Sequence, residues 1–154
     1  MILLRDTREQ LPLTFPVVEG VMVQTATLTV GDYSALHAEG ADTTIFERKN
    51  LDDLYTSFTG ERYEAERAKI QLAKTLNLHY ILAIEAPFSE VLKGHGHWAE
   101  GEWHEAKKSG LAMVRQLMTI QRKYGIQVVY CDSRRMMALY ILEYYLAQER
   151  VKED

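Results

Sequence analysis

A chain of 154 residues is long enough for a single domain that buries most of its apolar surface, and 47% hydrophobic with 26% charged residues is an ordinary globular composition. No apolar run approaches the roughly 20 residues of a membrane span. Arg5, Asp6, Arg8 and Glu9 interrupt any signal-peptide core, and Cys131, as the sole cysteine, excludes an internal disulfide, so a cytoplasmic setting without membrane contact is expected. The formal net charge of −4 argues against a protein that coats DNA non-specifically, but leaves room for a site whose carboxylates await a cation.

Ile2 to Leu4 predicts a short strand, running into the charged loop Arg5-Asp6-Thr7-Arg8-Glu9. Pro12 and Pro16 exclude a helix over Leu11 to Pro16. From Val21 to Val30, β-branched residues alternate well enough to predict an antiparallel strand, with a turn at Gly31-Asp32. Tyr33 to Leu36 begins the next strand, and Glu39-Gly40-Ala41-Asp42 is a hairpin-like connection into a strand over Thr43 to Lys49. Asn50 reads as a helix N-cap with Asp53 at N3, and Leu51, Leu54, Tyr55 and Phe58 hold helical spacing up to Gly60. Glu61 to Leu76 predicts a longer helix with Ala65, Ala68, Leu72 and Leu76 on its apolar face. His79 to Ile84 is continuously apolar, as in a strand buried on both faces.

Ser89 to Glu102 contains three glycines and no clear period, and reads as a functional or mobile loop. A helix from about Glu105 to Tyr124 stops at Gly125, Ile126 to Cys131 is another buried strand, and Asp132 or Ser133 caps a last helix to about Arg150. The alternation of helix and strand in the second half implies right-handed parallel crossovers, hence an α/β fold with a sheet flanked by helices.

The chemistry is concentrated in Ile45-Phe46-Glu47-Arg48-Lys49. On a strand, Glu47 and Lys49 project together while Phe46 and Arg48 face away. A lone Glu-x-Lys pair is ordinarily a surface charge pair worth under about 1 kcal/mol. Asp32, however, follows the preceding strand and can supply a second carboxylate, and Asp6 and Glu9 can add a third or act from behind. Phosphodiester hydrolysis needs such carboxylates for a hard cation, and a cationic group to orient water and offset phosphate charge.

The motif order is specific. Asp6-Thr7-Arg8-Glu9, then Gly31-Asp32-Tyr33, then Glu47-Arg48-Lys49 with Asp53 four positions on, resembles the XPF-type structure-specific nuclease family. That family's signature is Gly-Asp, then Glu-Arg-Lys, three arbitrary residues and Asp; here the three are Asn50, Leu51 and Asp52. Asp53-Leu54 before a helix containing Ser57 also fits, and the resemblance runs on through Tyr80 to Glu85 and more weakly to the last helix. It implies a restriction-endonuclease-like mixed central sheet flanked by helices, Mg²⁺ or Mn²⁺, and cleavage of branched, flap or otherwise structured DNA. It further implies Asp32 and Glu47 as metal ligands, Lys49 as the catalytic lysine, and Arg48 as a supporting residue whose backbone carbonyl is a candidate ligand. Asp6, Arg8, Glu9 and Asp53 are implied supporting residues. Family members commonly carry tandem helix-hairpin-helix modules, for which no sequence remains after the last predicted helix. The chain is therefore similar to short stand-alone bacterial or phage versions.

His95, His97 and His104 invite zinc, but their spacing matches no compact site and Cys131 is distant. Lys93, His95, His97 and Trp98 are instead expected in a loop near DNA, where an aromatic can stack on an unpaired base. Arg62, Arg67, Lys69 and Lys74 interleave with Glu61, Glu64 and Glu66 as on a solvated helix face; Arg62 alone is expected near the strand end bearing Glu47. Met136 to Leu146 is apolar nearly all round, which predicts a homodimer through the C-terminal helix with Tyr144 and Leu146 outward. No small-molecule cofactor is expected. A catalytically inactive nuclease-fold module that binds DNA or protein, and an RNA-processing nuclease, are the rival readings.

Overall fold

The protein is described here by a computed structural model covering residues 1–154, apart from the side chains of His97 and Trp98. The first half contributes β1 (Ile2–Asp6), β2 (Met22–Ala26), β3 (Tyr33–His37), β4 (Gly40–Ala41) and β5 (Thr44–Lys49), followed by α1 (Leu51–Ser57) and α2 (Arg62–Thr75). The second half contributes β6 (His79–Ile84), α3 (Phe88–Lys93), β7 (Gly96–Ala99), β8 (Glu102–Glu105), α4 (Gly110–Tyr124), β9 (Gln127–Tyr130) and α5 (Arg134–Glu153). Among the described residues, seven strands form one sheet in the order β2-β1-β3-β5-β6-β9, with β4 beside β3, and β7 and β8 form a separate hairpin.

β5, β6 and β9 run parallel, as their helical crossovers require, whereas β3 is antiparallel to both β1 and β5. The two halves of the sheet meet along a short seam, where a single residue pair, Tyr33 with Phe46, is in ladder register. Tyr145 of α5 closes the seam from below: its hydroxyl donates to the carbonyls of Tyr33 and Thr44 at 3.2 and 2.8 Å.

Alternation along the strands builds a core on each face. Ile45, Tyr80, Leu82 and Ile84 pack with Leu54, Phe58, Ile70, Met113 and Leu117 beneath α1, α2 and α4. Phe46, Ile81 and Ala83 point the other way and pack with Met137, Ile141 and Tyr145 of α5. Each fully buried Leu, Ile or Phe contributes roughly 1.5–3 kcal/mol, so both faces of β5 and β6 are strongly specified.

Several expectations are corrected. The strand expected over Val21 to Val30 ends at Ala26 and pairs parallel, not antiparallel, with β1. The long proline-bearing connection returns the chain to the start of β1, where the Met22 N–H donates to the Met1 carbonyl. The Leu28 N–H then donates to Asp6, which draws the chain out of the sheet. The expected loop over Ser89 to Glu102 holds α3 and most of the β7–β8 hairpin. α4 begins at Gly110 rather than Glu105, because the Ser109 hydroxyl accepts from the Ala112 N–H and caps it. Gly110 is required there, since a Cβ would lie 2.0 Å from the Leu92 carbonyl oxygen.

The face expected to bury on α2 is also reversed. Ala65, Ala68, Leu72 and Leu76 are exposed, and Glu66, Ile70 and Ala73 face inward. On α5, Tyr144 is not outward: its ring lies against Phe46 at 5.3 Å and its hydroxyl is 3.2 Å from that of Thr44. Leu146 is half-buried, and Met136 and Leu139 hold the outward positions, 39% and 41% exposed.

Candidate active site

Gly31 starts the site. Its φ of +87° suits glycine, and a Cβ would lie 3.0–3.2 Å from Ile45 and 3.2 Å from the Phe46 carbonyl oxygen. This close approach lets the Asp32 N–H donate to the Phe46 carbonyl at 2.7 Å, while the Asp32 carbonyl accepts from the Asp6 N–H at 2.9 Å. The Asp32 carboxylate in turn accepts from the Arg48 N–H at 2.8 Å, which pins it to the end of β5.

Glu47 and Lys49 project from β5 to the same face, as the strand period predicts, and both are buried. Asn50, whose side chain accepts from the Asp53 N–H, then turns the chain into α1. This brings Ser57 within 3.3 Å of the Lys49 ammonium. Packing of α2 over the same face completes a set of alternating charges. Lys49 Nζ lies 2.9 Å from Glu66 Oε1 and 3.6 Å from Glu47 Oε1, and Lys69 Nζ lies 3.0 Å from Glu47 Oε1 and 3.3 Å from Glu66 Oε1.

A cavity of roughly 230 Å³ opens above this set, lined by Asp6, Arg8, Gly31, Asp32, Glu47 and Lys69 with Thr29, Val30 and Leu72. Burial, and then the charge of Glu47, pushes the Asp32 carboxyl up to about 8. For Lys69, burial is outweighed by Glu47 and Glu66, which hold its ammonium above the usual lysine range. Tyr80, buried below with its hydroxyl unpartnered among the described residues, is raised by burial and by Glu47, Glu66 and Asp32.

The supporting residues divide into two groups. Asp6 is buried and grips Arg8 through two carboxylate–guanidinium hydrogen bonds of 2.7 and 3.2 Å, while accepting from the Leu28 N–H at 2.9 Å. Burial opposes its charge, but these donors hold it below the usual carboxylate range. Arg48 faces the opposite side from Glu47, where its guanidinium meets Glu9, Glu85 and the Leu11 carbonyl. Glu9 also accepts from the Tyr33 hydroxyl at 2.8 Å, so it braces β3 rather than lining the cavity.

Arg62, Asp53, Lys93 and His95 lie outside the cavity lining. Arg62 is exposed at the start of α2, and the residues of that helix that reach Glu47 and Lys49 are Glu66 and Lys69. Asp53 is exposed, and its backbone N–H rather than its carboxylate is engaged. Lys93 pairs with Glu90, and His95 lies 3.3 Å from Asp52 with its ring beside Tyr55. The side chains of His97 and Trp98 lie outside the described residues. Among the described residues, no group of three or more His, Cys, Asp or Glu side chains is arranged to hold a metal. Glu66 and Lys69 were hidden in a mixed-charge helix. Their one signal is position, since Glu66 shares the buried stripe with Ile70 and Ala73.

The ERCC4 domain family matches residues 5–144 of the chain. Among solved structures, XPF from Aeropyrum pernix is similar with a TM-score of 0.66 and 19% identity, covering 99% of this chain and 68% of that one. XPF from Aeropyrum pernix in complex with DNA gives a TM-score of 0.61 and 20% identity, covering 99% and 66%. The chain thus spans about two thirds of the length of these structures, whose likeness carries the restriction-endonuclease-like mixed sheet with flanking helices. No curated protein matches.

Proposed function

The chain belongs to the ERCC4 domain family, that of the XPF-type nucleases, and from that premise we propose that it is a divalent-metal-dependent endonuclease. Its substrate is branched, flap or otherwise structured DNA, and its cation Mg²⁺ or Mn²⁺. The observation that carries this reading is the convergence of Asp32 and Glu47 on one cavity, with Lys49 buried beside Glu47.

The donor set fits a small hard cation, which is held by one or two carboxylates with water completing the shell. Burial first, and then the charge of Glu47, push the Asp32 carboxyl up to about 8, as expected of a buried carboxylate that a cation balances. The Lys49 carbonyl accepts from Glu85 on the β6 side, so strand alternation turns the Arg48 carbonyl towards β3 and Asp32, where it is a candidate third ligand. When bound, the cation supplies Lewis acidity towards the phosphate and acidifies a water.

The protein's own groups do the rest. Lys49, fixed by Glu66 and Ser57, holds an ammonium beside Glu47, where it orients the attacking water and offsets phosphate charge. Arg48 positions Asp32 through its N–H and ties β5 to Glu9 and Glu85 through its guanidinium. Residues 1–154 act as a single nuclease unit, and as a homodimer through the outward side of α5 at Met136 and Leu139. The one cysteine, Cys131, is buried and free, in keeping with a cytoplasmic setting.

The test is incubation with labelled linear, flap, fork and four-way-junction DNAs, with and without Mg²⁺. Asp32→Asn, Glu47→Gln and Lys49→Ala should each slow cleavage by about 100-fold or more while leaving circular dichroism unchanged. Near-normal turnover in two of the three variants refutes the site, and preferential cleavage of matched RNA refutes the substrate class.

A further inference from the structure

Four charges alternate over β5 and α2, and one differs from the rest. Glu47, Glu66 and Lys49 have side chains only 5%, 6% and 9% exposed, whereas that of Lys69 is 42% exposed. Lys49 is boxed in by Ser57 and Glu66. Lys69 lies at the rim, lines the cavity with Asp32 and Glu47, and reaches Glu47 Oε1 at 3.0 Å on the end of a flexible four-carbon stem.

We infer that Lys69 is a tethered counter-ion: its ammonium covers Glu47 while no cation is bound, yields that place to a divalent cation, and then meets the phosphate of the DNA.

Charge and space assign Lys69 this role, which rests on the metal-dependent nuclease reading above. Asp32, Glu47 and Glu66 against Lys49 and Lys69 leave the ionised site with one net negative charge, the Asp6–Arg8 ion pair adding none. A divalent cation turns this into one net positive charge if Lys69 stays, and into neutrality if it swings to solvent. A phosphodiester then brings a single negative charge, which the returning ammonium neutralises. The cation and the ammonium would also compete for the Glu47 carboxylate, and a like-charge contact at such range is strongly unfavourable in a partly buried site. Of the two exposed cations that line the cavity, Arg8 is held by Asp6, which leaves Lys69 as the one with both the exposure and the free stem to move onto and off Glu47.

The experiment is calorimetric titration of Mn²⁺ into the DNA-free protein, comparing wild type with Lys69→Met, Lys69→Gln, Lys69→Arg and, as a control for net charge, Lys74→Met. Lys74 is exposed in the last turn of α2 and outside the cavity lining. Both neutral Lys69 variants should bind Mn²⁺ about tenfold more tightly than wild type, with Lys69→Arg and Lys74→Met close to wild type. The same neutral variants should cleave DNA about tenfold more slowly in single turnovers at saturating Mn²⁺, and Lys69→Arg should restore most of the rate. Mn²⁺ binding by wild type with no gain in either neutral variant, or an equal gain in Lys74→Met, overturns the counter-ion role. No Mn²⁺ binding by wild type, or undiminished binding by Glu47→Gln, overturns the metal-site reading itself and the inference with it.

Discussion

Asp32 is the group through which the proposed site should sense pH. To serve as a ligand it must give up its proton, and burial together with Glu47 holds its carboxyl at about 8 in the metal-free protein. At pH 6 about one molecule in a hundred therefore has Asp32 ionised, and at pH 8 about half, so cation affinity should rise roughly fifty-fold between these values. Binding at pH 6.5 should release about one proton, which appears as a dependence of the titration heat on the ionisation enthalpy of the buffer. The stability of the metal-free protein moves in the opposite direction. The folded value lies above the ordinary 3.8, so Asp32's contribution is whole below about 3.8 and is lost as pH climbs through 8. Melting temperature should accordingly fall from pH 5 to pH 8 without metal, and saturating Mg²⁺ should recover it, by about 2.7 kcal/mol at a hundredfold excess over Kd. An Mn²⁺ affinity that is flat from pH 6 to pH 8, or an Asp32→Asn variant with the same slope as wild type, would refute the reasoning.

Glu66→Leu should be strongly destabilising, by about 3–5 kcal/mol in urea titration, because it leaves the buried Lys49 ammonium without its 2.9 Å partner. Glu66→Gln, which keeps an acceptor, should lose much less, and equal losses would contradict the assignment. Gly31→Ala should impair Mn²⁺ binding more than it lowers the melting temperature, since the added methyl presses on Ile45 and the Phe46 carbonyl beside Asp32. Leu139→Glu should convert a homodimer into soluble monomer in light scattering, and a monomeric wild type at tens of micromolar would remove the dimer.

Where side-chain period and turn chemistry act locally, the sequence was a good guide. Strand alternation put Glu47 and Lys49 on one face with Phe46 and Arg48 on the other, and the Asn50 cap and the Gly125 stop fall where their chemistry requires. Gly31-Asp32 was legible as a turn, but its close fit against Ile45 and Phe46 exists only once β3 and β5 pair. Apolar periodicity failed on α2, because the inward stripe contains a glutamate that only Lys49 and Lys69 make tolerable there. It failed again between Ser89 and Glu102, where a short helix and the strands of a small hairpin follow each other too closely to establish a period. The parallel pairing of β2 depends on the long route of the preceding loop, which no local pattern encodes.

The seam between β3 and β5 gives the molecule a mechanical character. Asp32 stands on one side of it and Glu47 on the other, and Asp32 itself supplies two of the hydrogen bonds that stitch the edges together. The carboxylate spacing is therefore not a property of either strand but the aperture of a pair of jaws, with the Tyr145 hydroxyl as the pin beneath. In the proposed metal-bound state, a cation held by both carboxylates would act as a rivet across the joint. Strain that prises the half-sheets apart would change the spacing of the two carboxylates directly.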